Sequence, residues 1–153
     1  MAAGTVTIYG KNKDDININD LVAATVKMAL VASSYTPNVD SSTGHALWSD
    51  VSGSEIANGN GYTTGGVALS SMAATAISGG FKFSSANPQW TASGGNIPAH
   101  RYYVLYVVGT LWGLTNPLIG YFLGDNTPAD IAATSTGNTL TVTCPSGGWL
   151  DTV

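Results

Sequence analysis

The sequence predicts an all-β fold: a single-domain antiparallel β-sandwich, jelly-roll-like, with an extended N-terminal arm and at most one short helix. Three observations predict it. Short segments alternate polar and apolar residues with a period of two, as half-buried strands do. Gly, Pro and Asn punctuate the chain at close intervals. No fixed-period repeat marks a solenoid or a propeller. The chain has 153 residues, which suits one domain by the usual range of roughly 100–200 residues and is long enough to bury a core without metals or disulfides. Its expected division is an arm over 1–20 and a sandwich over 21–153.

The elements follow in order. Thr5, Val6, Thr7, Ile8 and Tyr9 alternate as an extended arm that ends at Gly10. Lys11 to Asp15 is the densest charge run and reads as a solvated turn. Asp15 to Asp20 alternates again, with Ile16 and Ile18 on one side. Residues 21–33 predict the first core strand, with Val26, Met28 and Leu30 on one face and Thr25, Lys27 and Ala29 on the other. Tyr35-Thr36-Pro37-Asn38 reads as a turn. The one short helix is expected within 41–51, capped by Ser42 or Thr43, with Leu47 and Val51 four apart. Phe81 and Phe83 share a face of a hairpin turning at Gly79-Gly80, and Trp90 lies on a further short strand. Residues 100–108 are apolar on both faces, the mark of a central strand. Their expected partner is 116–123, across a loop with Leu111 and Trp112 at its tip. Pro128 breaks the turn at 125–129, and 139–143 is the last strand. The total is roughly eight to ten short strands.

Hydrophobic residues make up 44% of the chain, but charged residues only 9%, against about 25% in a typical soluble domain. Gly, Ser, Thr and Asn take the place of charge. Such a surface is poorly guarded against association and suits a subunit packed among neighbours; low charge is also a habit of some secreted and viral lineages. Five Lys and Arg against nine Asp and Glu give a net charge of −4. Lys11, Lys13, Lys27, Lys82 and Arg101 are too dispersed for a basic patch. Neither nucleic acid nor an anionic membrane surface is an expected partner. Cys144 is the lone cysteine, which fits folding in a reducing cytoplasm. Met1 to Gly10 lacks the charged and apolar regions of a signal peptide, and Val22 to Ala32 is too short to span a bilayer.

The supply of catalytic groups is thin. His45 and His100 are the only histidines and read as polar groups at strand entries, reaching a carbonyl or a carboxylate. A Ser-His-Asp triad is defined by geometry rather than order, but no Gly-x-Ser-x-Gly elbow supports one. Asp14, Asp15 and Asp20 do not match a calcium loop, and a thiolate zinc site lacks a second cysteine. A glycosidase pair would have to come from Asp40, Asp50, Glu55, Asp125 and Asp130. No catalytic residue, metal or cofactor is therefore expected. Trp112, in an apolar tip flanked by glycines, is the natural protein-contact residue, and Trp149 follows Gly147-Gly148 near the end of the chain.

An ordered set of segments carries a family resemblance. It comprises Val26-Lys27-Met28-Ala29-Leu30-Val31, Ser34-Tyr35-Thr36-Pro37-Asn38, Trp48-Ser49-Asp50-Val51, Gly61-Tyr62-Thr63-Thr64-Gly65-Gly66, Arg101-Tyr102-Tyr103-Val104-Leu105-Tyr106 and Asn116-Pro117-Leu118-Ile119-Gly120-Tyr121. In this order and spacing, from about residue 24 to residue 143, the chain resembles small β-rich proteins encoded among the structural genes of tailed bacteriophages. The N-terminal 20 residues and the loop around Trp112 depart from that pattern. The resemblance implies a virion component without enzymatic activity, assembled in the bacterial host cytoplasm.

The expected function is that of a capsid decoration (cement) protein that binds the assembled shell of major capsid protein and stabilises it by mass action, as a homo-oligomer, with a trimer suited to local three-fold sites. A tail, adaptor or fibre-associated subunit is the alternative within the virion. A carbohydrate-binding module for host glycans is the alternative of another class, and a hydrolase the fourth. The partner-contact candidates are Thr5, Val6, Ile8, Tyr9, Leu111, Trp112, Leu114 and Trp149.

Overall fold

The computed structural model describes residues 4–153. Along the chain these form β1 (Thr7–Ile8), α1 (Ile18–Ala23), β2 (Thr25–Val31), β3 (Val67–Ala68), β4 (Ala73–Ile77), β5 (Gly80–Ser84), β6 (Gln89–Thr91), β7 (Tyr102–Val108), β8 (Thr110–Leu111), β9 (Leu114–Thr115), β10 (Leu118–Leu123), β11 (Thr139–Thr141) and β12 (Leu150–Asp151). The fold is all-β and antiparallel. One five-stranded sheet has the order β1-β10-β7-β2-β3. Beside it lie a three-stranded sheet, β12-β5-β4, and the two-stranded pairs β11-β6 and β8-β9.

The centre is β7. Its doubly apolar sequence demands cover on both faces and neighbours on both edges. β2 supplies one edge from Thr25↔Val108 to Val31↔Tyr102, and β10 the other from Leu118↔Tyr106 to Leu123↔Tyr102, with a bulge between Leu118 and Gly120. On one face Tyr103, Leu105 and Val107 join Val26, Met28 and Leu30 in the larger core, completed by Leu21 of α1, Phe83 of β5, Trp90 of β6 and Leu140 of β11. On the other face Val104 and Tyr106 join Ala29, Val31 and Leu118, covered by Tyr9, Tyr35 and Val51. Both predicted faces of β2 and β7 are thus observed.

Aromatic rings tie the layers together. Tyr103 stacks on Phe122 at 4.9 Å between centroids, Phe122 on Trp149 at 6.0 Å, and Trp90 tilts against Tyr103 at 6.4 Å. On the second face Trp48 stacks on Tyr106 at 4.4 Å. Such pairs add about 0.5–1.5 kcal/mol each beyond the area they bury.

The β2 side of the sheet is clasped by the loop 55–66. β3 covers only Lys27 and Met28, so Leu30 donates its N–H to the Tyr62 hydroxyl at 3.1 Å. That hydroxyl donates in turn to Glu55 Oε1 at 2.6 Å, which also accepts from Gly65 N–H at 2.5 Å. The Tyr106 hydroxyl donates to the Gly65 carbonyl at 2.8 Å. Gly66 closes the clasp at φ +77, where a Cβ would collide with the Met28 carbonyl. Only glycine meets both demands.

Several expectations are corrected. The alternation at 15–20 is not a strand: Asn17 caps α1 through the Asn19 N–H at 2.9 Å, and β2 starts at Thr25, not at residue 21. The Asn and Asp residues that alternate with isoleucine there are good helix-capping residues, a signal that period-two reading hides. The helix expected in 41–51 is only a short 3-10 turn at Trp48–Asp50, followed by another at Ser52–Ser54. The turn placed at 35–38 falls at Ser33-Ser34. The β4–β5 hairpin turns at Ser78-Gly79, because Ile77 pairs with Gly80. The extended arm is extended only near β1. Gly10–Asn12 form a 3-10 turn, and Asn12 is buried, donating from Nδ2 to Ala46 O at 2.7 Å and Leu118 O at 2.9 Å. The first three residues of that arm lie outside the described residues.

Tyr62→Phe tests the clasp. It leaves the buried Leu30 N–H without an acceptor and takes one of the two donors from Glu55 Oε1. The expected loss is about 1–3 kcal/mol, seen as a lower urea midpoint with an unchanged slope.

Candidate functional site

The site is a groove where the two ends of the described chain meet. One wall is Gly4, Thr5, Val6, Ile8 and Lys13; the other runs from Gly147 to Asp151 with Val153. Its volume is about 490 Å³. Antiparallel pairing sets how β1 stands in this wall. Tyr9 donates its N–H to Ile119 O at 3.2 Å, in register with Thr7↔Tyr121 and Ile8↔Gly120. Bonded and non-bonded pairs alternate in such a ladder, so the N–H and C=O of Ile8 point away from β10. The facing wall ends in β12, itself the edge of its sheet. Thr152 donates to Phe81 O at 3.0 Å, which turns the main-chain groups of Asp151 outward by the same alternation. Apolar surface continues past the groove: Phe81 is 51% exposed and Val153 75%.

The sequence-predicted contact residues divide. Thr5, Val6 and Ile8 line the groove, and Trp149 lines it from the opposite wall. Trp149 is nonetheless 2% exposed, with its Nε1 donating to Ser85 Oγ at 2.9 Å; it is a wall of the groove and not a free anchor. Tyr9 is fully buried and packs in the second core, so it offers no contact surface. Its side chain follows the strand alternation to the face opposite Ile8.

Leu111, Trp112 and Leu114 form a different feature. Leu111 pairs with Leu114 across a two-residue turn in which Trp112 at φ 54 and Gly113 at φ 73 are both left-handed, as a type I′ hairpin requires. The Trp112 Nε1 donates to Asp20 Oδ2 at 3.1 Å, and the ring packs with Leu111 against the core. The expected exposed apolar tip is instead folded back onto α1, because a Trp N–H finds its acceptor there. Phe81 and Val153 were missed. The signal for Phe81 is its place at the turn end of the β4–β5 hairpin, opposite Ala76, where the face shared with Phe83 runs out of cover.

The polar groups are engaged within the fold. On the second sheet face the Tyr9 and Tyr35 hydroxyls lie 2.9 Å apart, and Tyr35 Oη is 2.7 Å from His45 Nδ1. Asn38 N–H also points at that nitrogen, at 3.4 Å. An N–H can only donate, so Nδ1 accepts, Tyr35 donates to it, and Tyr9 donates to Tyr35. Burial drives the Tyr9 phenol far up and pushes Tyr35 up to about 12. Burial also raises Asp50, but the N–H groups of Leu47 and Ala46, with His45 and Lys11 nearby, outweigh it and hold the carboxyl below its usual value. Asp40 is lowered by N–H bonds from Thr43 and Ser42, and Asp125 by the Thr127 hydroxyl and N–H. His100 is buried, with Nε2 at 2.8 Å from the Tyr103 hydroxyl and Nδ1 at 3.3 Å from the Pro98 carbonyl. Arg101 Nε pairs with Asp130 Oδ1 at 2.8 Å.

Among the described residues no group of three or more His, Cys, Asp and Glu stands together as a metal site, and no helix is long and apolar enough to cross a membrane. No family model, curated protein or solved structure matches the chain.

His100 gives a pH test. Burial lowers its pKa from the ordinary 6.5, against smaller raising effects of Pro98 and Asp130. Below that value the unfolded chain takes up a proton that the folded protein resists, so stability present above 6.5 is lost as pH falls from there towards the folded value. Urea midpoints measured from about pH 7 to pH 5 should decline, and His100→Gln should flatten that part of the decline.

Proposed function

We propose that this chain is a non-enzymatic structural subunit of a tailed-bacteriophage particle, acting in the virion as a decoration (cement) protein that binds the assembled major capsid protein shell. The observation that carries this reading is the groove beside β1. An uncharged strand edge from Thr5 to Ile8 turns the Ile8 main-chain groups away from β10, beside a groove with both apolar and polar lining. Recognition by strand addition uses such an edge: main-chain bonds give affinity and alternate side chains give specificity. The histidines and most carboxylates, by contrast, are committed to the protein's own hydroxyls and N–H groups.

Two further points support the reading. Four of the six ordered segments that resemble phage structural proteins fall on β2, β7, β10 and the clasp loop, the scaffold that holds β1; the other two, 34–38 and 48–51, lie in the loop that covers the second sheet face. The low charge fits a surface that spends its working life covered. As a decoration protein the chain stabilises the shell by binding the assembled lattice in preference to its separated parts. The partners are the major capsid protein and further copies of this chain, assembled in the host cytoplasm.

The test is the copy number of this chain relative to the major capsid protein in purified particles. A ratio near one is expected. A few copies per hundred would move the subunit to the tail or the portal vertex, and absence from the particle would overturn the structural reading.

A further inference from the structure

The β1 side of the molecule is, we infer, a self-association surface: two copies pair their β1 strands antiparallel across a two-fold axis, and each strand closes the other copy's groove. This rests on the reading of the β1 edge as an assembly surface and names its occupant. The two edges of the five-stranded sheet are treated differently. Beyond β3, the clasp loop satisfies the Leu30 N–H through Tyr62 and covers the backbone. At β1 the Ile8 N–H and C=O face away from β10, and Ile8 lines the groove, while the next outward N–H, that of Gly10, is held by Val39 O at 3.2 Å. Exposed edges in natural proteins are guarded by lysine, proline, a bulge or an inward charge. Gly4-Thr5-Val6-Thr7-Ile8-Tyr9-Gly10 contains no charge and no proline, whereas β12 on the facing wall carries Asp151.

The occupant follows from chemistry. Donors and acceptors repeating every second residue along an edge are matched by another extended backbone. A second copy fits because an isologous contact needs one surface complementary to itself. Thr5 to Ile8 is both the donor and the acceptor of such a pairing. Among the described residues the groove places a cation, Lys13, on the β1 wall and an anion, Asp151, on the other, so one surface carries both signs of charge that a self-complementary contact can pair. Val153 lines the groove and, with exposed Phe81, extends the apolar rim. An isologous edge closes at two copies, which points to a dimer rather than the trimer expected from three-fold sites.

The experiment is sedimentation equilibrium of the full chain from micromolar to millimolar concentration, with amide exchange at Ile8 followed at both extremes. Wild type should pass from monomer to dimer, and the Ile8 amide should slow by about tenfold or more as the dimer forms. Ile8→Pro removes the outward N–H without breaking a β1–β10 bond and should remain monomeric. Thr5→Lys, at an exposed position, adds a guarding charge with little risk to the fold and should do the same. Wild type that stays monomeric throughout, a dimer whose Ile8 amide exchanges freely, or a Thr5→Lys protein that dimerises like wild type would each overturn the inference. The two readings fail separately. A monomer that still decorates particles near one to one sinks the self-association alone, and a dimer absent from particles sinks the virion role alone.

Discussion

Everything in this fold answers to one requirement, that β7 be buried on both faces. A strand reading Tyr-Tyr-Val-Leu-Tyr-Val-Val cannot leave either side in water, and its main-chain groups must be paired on both edges. β2 and β10 meet the second need. The first forces the chain to make two unlike coverings: α1 with the small sheets on one face, and a stretch of turns and loop from Tyr35 to Val51 on the other. The irregular covering holds because it is anchored by rings and hydroxyls, with Trp48 on Tyr106 and the Tyr9–Tyr35–His45 chain, rather than by a second ladder.

The same economy explains the scarcity of free reactive groups. With so few charges in the sequence, several of its titratable side chains stand in for missing backbone partners. Tyr62 stands in for a neighbouring strand at Leu30. Glu55 gathers the Tyr62 hydroxyl and the Gly65 N–H. Asp50 holds the 46–47 turn, and Asp40 the 42–43 turn. What remains for a partner is mostly main chain and apolar surface, and these gather where β1 and β12 run side by side.

Much of the architecture was legible because burial imposes a readable period. The two faces of β2 and β7, the β7–β10 pairing, the β4–β5 hairpin and the strand around Trp90 all follow from alternation and turn residues. The failures share a cause. Asn17-Ile18-Asn19-Asp20 alternates like a strand, yet a capping Asn and the packing of Leu21 against the small sheets make a helix of it. The 41–51 stretch has helical spacing, but its apolar residues lie on a sheet that a turn covers as well. At the site, Val6 and Ile8 were readable as one apolar face of an arm. That Tyr9 would be swallowed and Trp112 tied to Asp20 depends on contacts between residues far apart in sequence, which no local pattern carries. The meeting of residues 4–8 and 147–153 in one groove is of the same kind.

The order β1-β10-β7-β2-β3 interleaves early and late parts of the chain, and Asn12 reaches across 106 positions to bond Leu118. On a ribosome this means that β2 emerges long before β7 and β10, the strands that pair with it and with β1. Loop-closure entropy must be overcome before any of the central pairings returns energy, so the topology belongs to the slow, non-local class of folders. Until about residue 108 has left the exit tunnel β2 lacks its central partner, and until about residue 123 β7 lacks β10, so an apolar strand edge stays unpaired through most of synthesis.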